Sequence, residues 1–177
     1  MTQPAYTFAI KGGNVKRYHT IPTIMPDTVA HHSFNVCMMI MALDPLASAA
    51  LLRAGLQHDI AEHKLGDMPA PAKRAMRIRE LFQEHEEAHM KDAGISPEIL
   101  TKAEEWVLKV SDALDGMRFC VQERAMGNQL IWEPYFNFQS YVEQLLEGIP
   151  ADGNQIARRA HKFYEYFKAD WHAVGGQ

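Results

Sequence analysis

The chain has 177 residues, 47% of them hydrophobic and 23% charged, which is ordinary for a globular protein and enough for one buried core. A formal net charge of -4 gives no global pull toward nucleic acid or anionic membrane, and no apolar run is long enough to cross a bilayer. Cys37 and Cys120 lie in apolar, helix-like sequence without metal-type spacing, and no leader-like segment opens the chain, so a single cytoplasmic domain over 1–177 is expected.

Met1 to Pro26 is broken by Pro4, Gly12-Gly13, Pro22 and Pro26, and its first part, AYTFAIKGG, reads equally as a short helix or an extended lead-in. Lys16-Arg17-Tyr18-His19 is a basic and aromatic knot in an acidic chain. It suits a solvated loop, or an arginine on phosphate beside a ring that can stack. Asp27 or Thr28 can cap a helix through VAHHSFNVCMMIMAL, with Val29, Phe34, Val36, Cys37, Ile40 and Met41 as its apolar side. His32 stands inward at the start of that side, and His31 lies about 100° round the helix.

A second helix begins near Pro45 to Ser48, completing a helical hairpin, and leads into LLRAGLQHDIAEHKLGDMPAPAK. His58, Asp59 and Glu62 could share one broad helical face, before Gly66 breaks the helix and Asp67 follows in a loop. Imidazole beside carboxylates is a ligand set for a borderline divalent cation, although a buried His-Asp step can also be structural.

From Ala72 to Ala93 a long polar helix is expected, with Lys73 at its start as a solvated helix end or a functional cation. Within it, His85-Glu86-Glu87-Ala88-His89 fits the H-E-x-x-H pattern of zinc peptidases. Its flanks are charged like an exposed face, and the longer form of that motif needs Gly where Asp92 stands, so a chance match is the better reading. Ser96-Pro97-Glu98 is expected to open a helix running to Gly127, in which Asp112 and Asp115 interrupt the apolar stripe and need a cation or an arginine such as Arg118. Trp132 to Pro134 reads as a loop, Asn137–Glu147 and Ala151–Trp171 as helices, and the tail from Val174 as frayed. No stretch reads as a strand, so the fold class is all-α.

The order His32, His58-Asp59, Asp112 resembles the H…HD…D pattern of the HD-domain metal-dependent phosphohydrolases, a compact helical bundle. Finer matches are similar to the small deoxynucleotidase branch: Arg17-Tyr18 (where Trp is usual), Ala30-His31-His32-Ser33, Glu62, Asp67-Met-Pro-Ala-Pro-Ala-Lys73, and Lys109-Val-Ser-Asp112-Ala-Leu. The compact spacing looks most like that of the phage dATP triphosphohydrolases.

The resemblance implies that His32, His58, Asp59 and Asp112 hold one divalent cation, whether cobalt, zinc, manganese or magnesium. It implies Glu62 and Asp67 as catalytic groups, and Arg17, Tyr18, Thr20, Ile21 and Lys73 as substrate contacts, with Thr20 or Ile21 walling off the 2′ position. Expected partners are a small deoxynucleotide and further copies of the chain, with no nucleic acid and no membrane. The expected reaction is attack of water at the α-phosphorus, taking dATP to deoxyadenosine and triphosphate. Alternatives are a 5′-deoxynucleotidase acting on monophosphates, a peptidase at the HEEAH segment, and a non-catalytic metal-stabilised module.

Overall fold

The computed structural model describes residues 1–147 and 154–175. Helix α1 (Gln3–Gly13) starts from a Thr2 cap with Pro4 in its first turn, where a missing N–H costs nothing. This decides the opening segment in favour of helix. Helix α2 (Val29–Leu43) is capped by Thr28, and α3 (Ala49–Gln57) by Ser48, giving the expected hairpin.

Helix α3 then ends earlier than expected. His58 is its C-cap, residues 59–61 form a turn, and Glu62 opens the four-residue α4 (Glu62–Leu65), which Gly66 closes at φ 85°. His58, Asp59 and Glu62 are therefore gathered by a turn rather than by one helical face. Helix α1 lies directly on that turn. A Cβ on Gly12 would stand 2.2 Å from the Ile60 carbonyl oxygen, so the two backbones touch where only glycine fits.

The long polar helix is two helices, α5 (Ala70–Ala75) and α6 (Arg79–Asp92), broken at Arg77, whose φ of 54° lies in the left-handed region. Helix α7 (Lys102–Ala125) starts some residues later than the Ser-Pro-Glu signal implied, because the capping box formed by Thr101 and Glu104 claims the start. The reading of 132–134 as a loop is corrected as well. After a 3-10 turn (Gln129–Ile131), α8 (Trp132–Leu146) begins at Trp132, with Pro134 tolerated in its first turn. Helix α9 (Gln155–Val174) ends the fold, and residues 151–153 and 176–177 of the expected last helix and tail lie outside the described residues.

Helix α7 is the axis, packing against α2, α3, α8 and α9. Its Val110, Leu114, Met117, Phe119 and Cys120 are buried with Leu43, Ile131, Tyr135 and Trp171, and full burial of each large side chain contributes roughly 1.5–3 kcal/mol. A smaller cluster of Ala5, Phe8, Ile60, Ala61, Met90 and Ile95 joins α1, the turn after α3, and the end of α6. On α2, Phe34 and Met41 are exposed, and Met39 and Leu43 take the inward places expected of them. The described residues form no strand, only an isolated antiparallel bridge between Lys16 and Thr28, so the all-α bundle stands. No described helix is long and apolar enough to cross a membrane.

Candidate metal centre

His32 is fully buried on α2, and each of its ring nitrogens meets a carboxylate of α7. A carboxylate only accepts, so Nδ1–H donates to Asp115 Oδ2 at 2.7 Å and Nε2 faces inward. His58 is oriented the same way, its Nδ1–H donating to the Gly55 carbonyl at 2.9 Å. The two Nε2 atoms consequently point at each other, 3.2 Å apart. Asp59 Oδ2 stands 3.6 Å from His32 Nε2 and 3.3 Å from His58 Nε2, and these three donors all lie within 4.8 Å of one another. Asp112 joins through His32, its Oδ1 at 3.0 Å from the same Nε2.

The donor set fits a divalent cation. Ligands about 2.0–2.2 Å from a common ion stand roughly 3.0–3.6 Å from each other, the range these pairs span. Two imidazole lone pairs aimed at one point, with carboxylates around them, need a positive charge there. A cation or a proton can supply it. Burial and Arg17 oppose that proton, but the hydrogen bonds to Asp112 and Asp115 overcome them and push His32 up to about 9. Burial likewise opposes the Asp112 anion, and His32 outweighs it, so Asp112 is held well below the usual carboxylate range. A bound cation would displace the proton on His32.

Asp115 is the residue that sequence reasoning placed least well. Arg118 Nε does donate to its Oδ1 at 2.7 Å, the arginine partner expected, but its other oxygen fixes the tautomer of His32. Its three-residue spacing from Asp112 was the available signal. It is a support of the centre, not only a satisfied core acid.

Around the donors stand the remaining expected residues. Glu62 is 6% exposed, and its Oε2 has no hydrogen-bond partner. Burial, then Asp59 and Asp67, push its carboxyl up to about 10, and a cation beside Asp59 would draw it down again. Asp67 faces the same charges, with His19 Nδ1 at 3.7 Å. Arg17 is nearly buried and paired with Asp27 Oδ2 at 3.1 Å. Burial opposes its charge, but Tyr18, Asp59, Asp112 and Asp27 hold it above the ordinary value.

Tyr18, by contrast, turns toward the bundle. Its ring stacks on Phe119 with centroids 4.5 Å apart, and its buried hydroxyl has no partner. Ile21 packs against the main core, whereas Thr20 is exposed.

Lys73 Nζ lies 3.5 Å from Glu86 Oε1 and over the Phe82 ring. That pairing separates the HEEAH residues. His85 is exposed, Glu86 turns toward Lys73, and His89 lines a groove with Phe8 and His63 behind α4. Among the described residues, the one group of three donors close enough for a cation is His32, His58 and Asp59, so the peptidase pattern has no centre of its own.

Solved structures share this architecture. The cyanophage S-2L HD phosphohydrolase (DatZ), bound to dA and one catalytic zinc ion, matches with a TM-score of 0.68 at 17% identity, covering 96% of this chain and 98% of its own. An HD-domain phosphohydrolase from Listeria innocua matches with a TM-score of 0.73 at 20% identity, over 95% of this chain and 88% of its own. No curated protein matches the sequence. Residues 13–105, more than half of the chain, match the HD domain, and with the paired imidazoles and HD carboxylate at its centre the chain belongs to the HD-domain family.

Proposed function

We propose that the protein is a metal-dependent hydrolase of deoxynucleotides, acting at the α-phosphorus and preferring dATP, in the cytoplasm. The observation that supports this best is the placing of a buried, unpartnered Glu62 oxygen and the Arg17 charge beside the His32, His58 and Asp59 donors. A purely structural metal site needs neither. The resemblance to DatZ, which is bound to dA, supports the choice of adenine.

His32, His58, Asp59 and Asp112 would hold the cation, which when bound activates water and withdraws charge from a phosphoryl oxygen. Glu62 takes the proton from the attacking water as the new oxygen–phosphorus bond forms. The bond from phosphorus to O5′ breaks, and Glu62 passes that proton to the leaving O5′, giving the nucleoside and restoring the carboxylate. Arg17 neutralises the developing charge through its planar fork, and Lys73 adds a point charge after leaving Glu86. Asp67 holds the approach to the phosphates together with His19. Ile21 is the better of the two candidates for the wall against a 2′-hydroxyl, because it is packed against the core and Thr20 is exposed. Such a wall rejects an added hydroxyl by about 10²-fold.

The test is to incubate the purified protein with each dNTP, dNMP and rNTP and with cobalt, zinc, manganese or magnesium, and to identify the products. Deoxyadenosine plus triphosphate from dATP, with ATP a poor substrate, is the expected result. Turnover of monophosphates with triphosphates left intact would make it a 5′-deoxynucleotidase instead. Binding of nucleotide without turnover under any metal would make it a sensor.

A further inference from the structure

The loop from Arg17 to Thr28 is tied at both ends by different devices. Its base is closed by the Lys16–Thr28 bridge, by the Arg17 N–H donating to the Asp27 carbonyl at 3.1 Å, and by Asp27, which receives Arg17 on one oxygen and His31 on the other. Its far part is held from α7. Glu123, with no exposed surface, accepts the Met25 N–H on Oε1 and the Ile24 N–H on Oε2, both at 2.7 Å. Asn128 Nδ2 donates to Glu123 Oε2 at 2.7 Å and to the Pro22 carbonyl at 2.9 Å.

Three backbone groups within four residues of the loop thus end on two side chains about a hundred positions away in sequence. Glu123 shares its α7 face with Phe119, on which Tyr18 stacks, and with Asp115 and Asp112, at spacings of four, four and three residues. Tyr18 itself has a φ of 56°, a conformation that a bulky residue keeps only where its surroundings over-determine it. One helix face therefore sets both the centre and the height of the loop above it.

We propose that Glu123, with Asn128, is the positioning pair that holds Ile21 against the sugar and so sets the discrimination between deoxyribose and ribose. This rests on the reading above that the loop borders the sugar. The carboxylate does not touch substrate. It acts through the loop, and a hydrophobic wall excludes one oxygen atom only while it cannot retreat. In Glu123→Gln the amide NH₂ must replace one acceptor, so either Met25 or Ile24 and Asn128 face a donor with a donor, and the loop is released without a change of shape.

The experiment compares kcat/KM for dATP against ATP, and for dAMP against AMP, in wild type and Glu123→Gln. The dissociation constants of deoxyadenosine and adenosine, which carry no phosphate to hydrolyse, are measured in parallel. The expected result is a deoxy-to-ribo ratio reduced about tenfold from the about 10²-fold that an apolar wall supports. Metal content should be unchanged. A merely structural role would lower both members of each pair together and leave the ratio intact, and that outcome overturns the proposal. Wild-type protein that treats deoxy and ribo forms alike overturns the sugar wall and the clamp together, which distinguishes the two failures. Should Glu123→Gln not fold, Asn128→Ala keeps both backbone ties to the carboxylate while releasing Pro22 and the amide's own bonds to Glu123 and Leu130, and the same fall in ratio is required of it.

Discussion

The two halves of the candidate site are built in different ways. On one side, α7 supplies Asp112 to the donors, Asp115 to His32, Phe119 to Tyr18 and Glu123 to the loop, all from one face of a single helix, with Asp115, Phe119 and Glu123 buried. On the other, His58, Asp59, Glu62, Asp67 and Lys73 stand on a helix end, a turn, a four-residue helix, a loop and a short helix. Beyond the end of α3, which packs against α2 and α7, that second half is joined to the rest by a six-residue apolar cluster and by Asp67, 3.7 Å from His19, while Lys73 pairs with Glu86 of α6 at 3.5 Å. Buried polar groups that are fully paired permit one arrangement, because each lost partner leaves a costly orphan. Short elements on a small cluster are tied by fewer such constraints. Under the proposed function, the first half suits fixed tasks, aiming His32 at a cation and holding the wall against a sugar. The second suits Glu62, Asp67 and Lys73, which would have to follow phosphates through a reaction.

The strongest way to break this division is to remove the donor shared by both histidines. Asp59→Ala should lose most bound metal, and with it all metal-dependent turnover, while far-ultraviolet circular dichroism stays helical because α2 and α7 keep their packing. Stoichiometric metal with full activity in this variant would end the assignment of the centre. Next is Glu62→Ala, on the adaptable half. Metal should remain bound, read by elemental analysis, while kcat falls by about 10²–10⁴-fold, the usual worth of general acid–base help. Loss of metal would instead make Glu62 a ligand.

On the rigid half, Asp115→Asn should weaken metal affinity or activity by about 10–100-fold, since it loosens the tautomer and aim of His32 without removing a donor. Titration with a chromophoric chelator reads the change, and an unaltered affinity would mean that α2 packing alone aims the ring. The smallest effect is expected from Lys73→Met. An exchangeable ion pair and one charge-assisted contact to phosphate are worth about tenfold, so KM should rise by about that much with kcat nearly kept. A collapse of kcat in Lys73→Met would place the lysine on the reacting oxygen and erase the contrast between the halves.

Much of this was legible in the chain. Helical spacing foretold α2, α3, α7 and the inward turn of His32, and the Thr28 cap of α2 was legible too, because a β-region Thr before an apolar run satisfies free N–H groups whatever lies elsewhere. Residue types made His58 and Asp59 candidates, the resemblance to the HD pattern added His32, and the structure brings the donor atoms of all three together. The route by which they meet was misread. A shared helical face was the local expectation, but α3 ends at Gln57, and α1, resting on Ile60 at Gly12, packs against the turn that replaces it.

Only tertiary packing decided the rest. Nothing near Arg77 in sequence announces a left-handed arginine that splits one helix into two. The outward turn of Phe34 and Met41, and the choice of Met39 and Leu43 for the core, depend on where α7 lies, since α2 is apolar nearly all round. Tyr18 reads as a ring for a ligand until Phe119 is found beneath it. Asp115 and Glu123 look like ordinary acids on a long helix, and their partners come from residues 83 and about a hundred positions away. Spacing along a helix says which side chains share a face, but which hydrogen-bond donors reach that face is set by the fold.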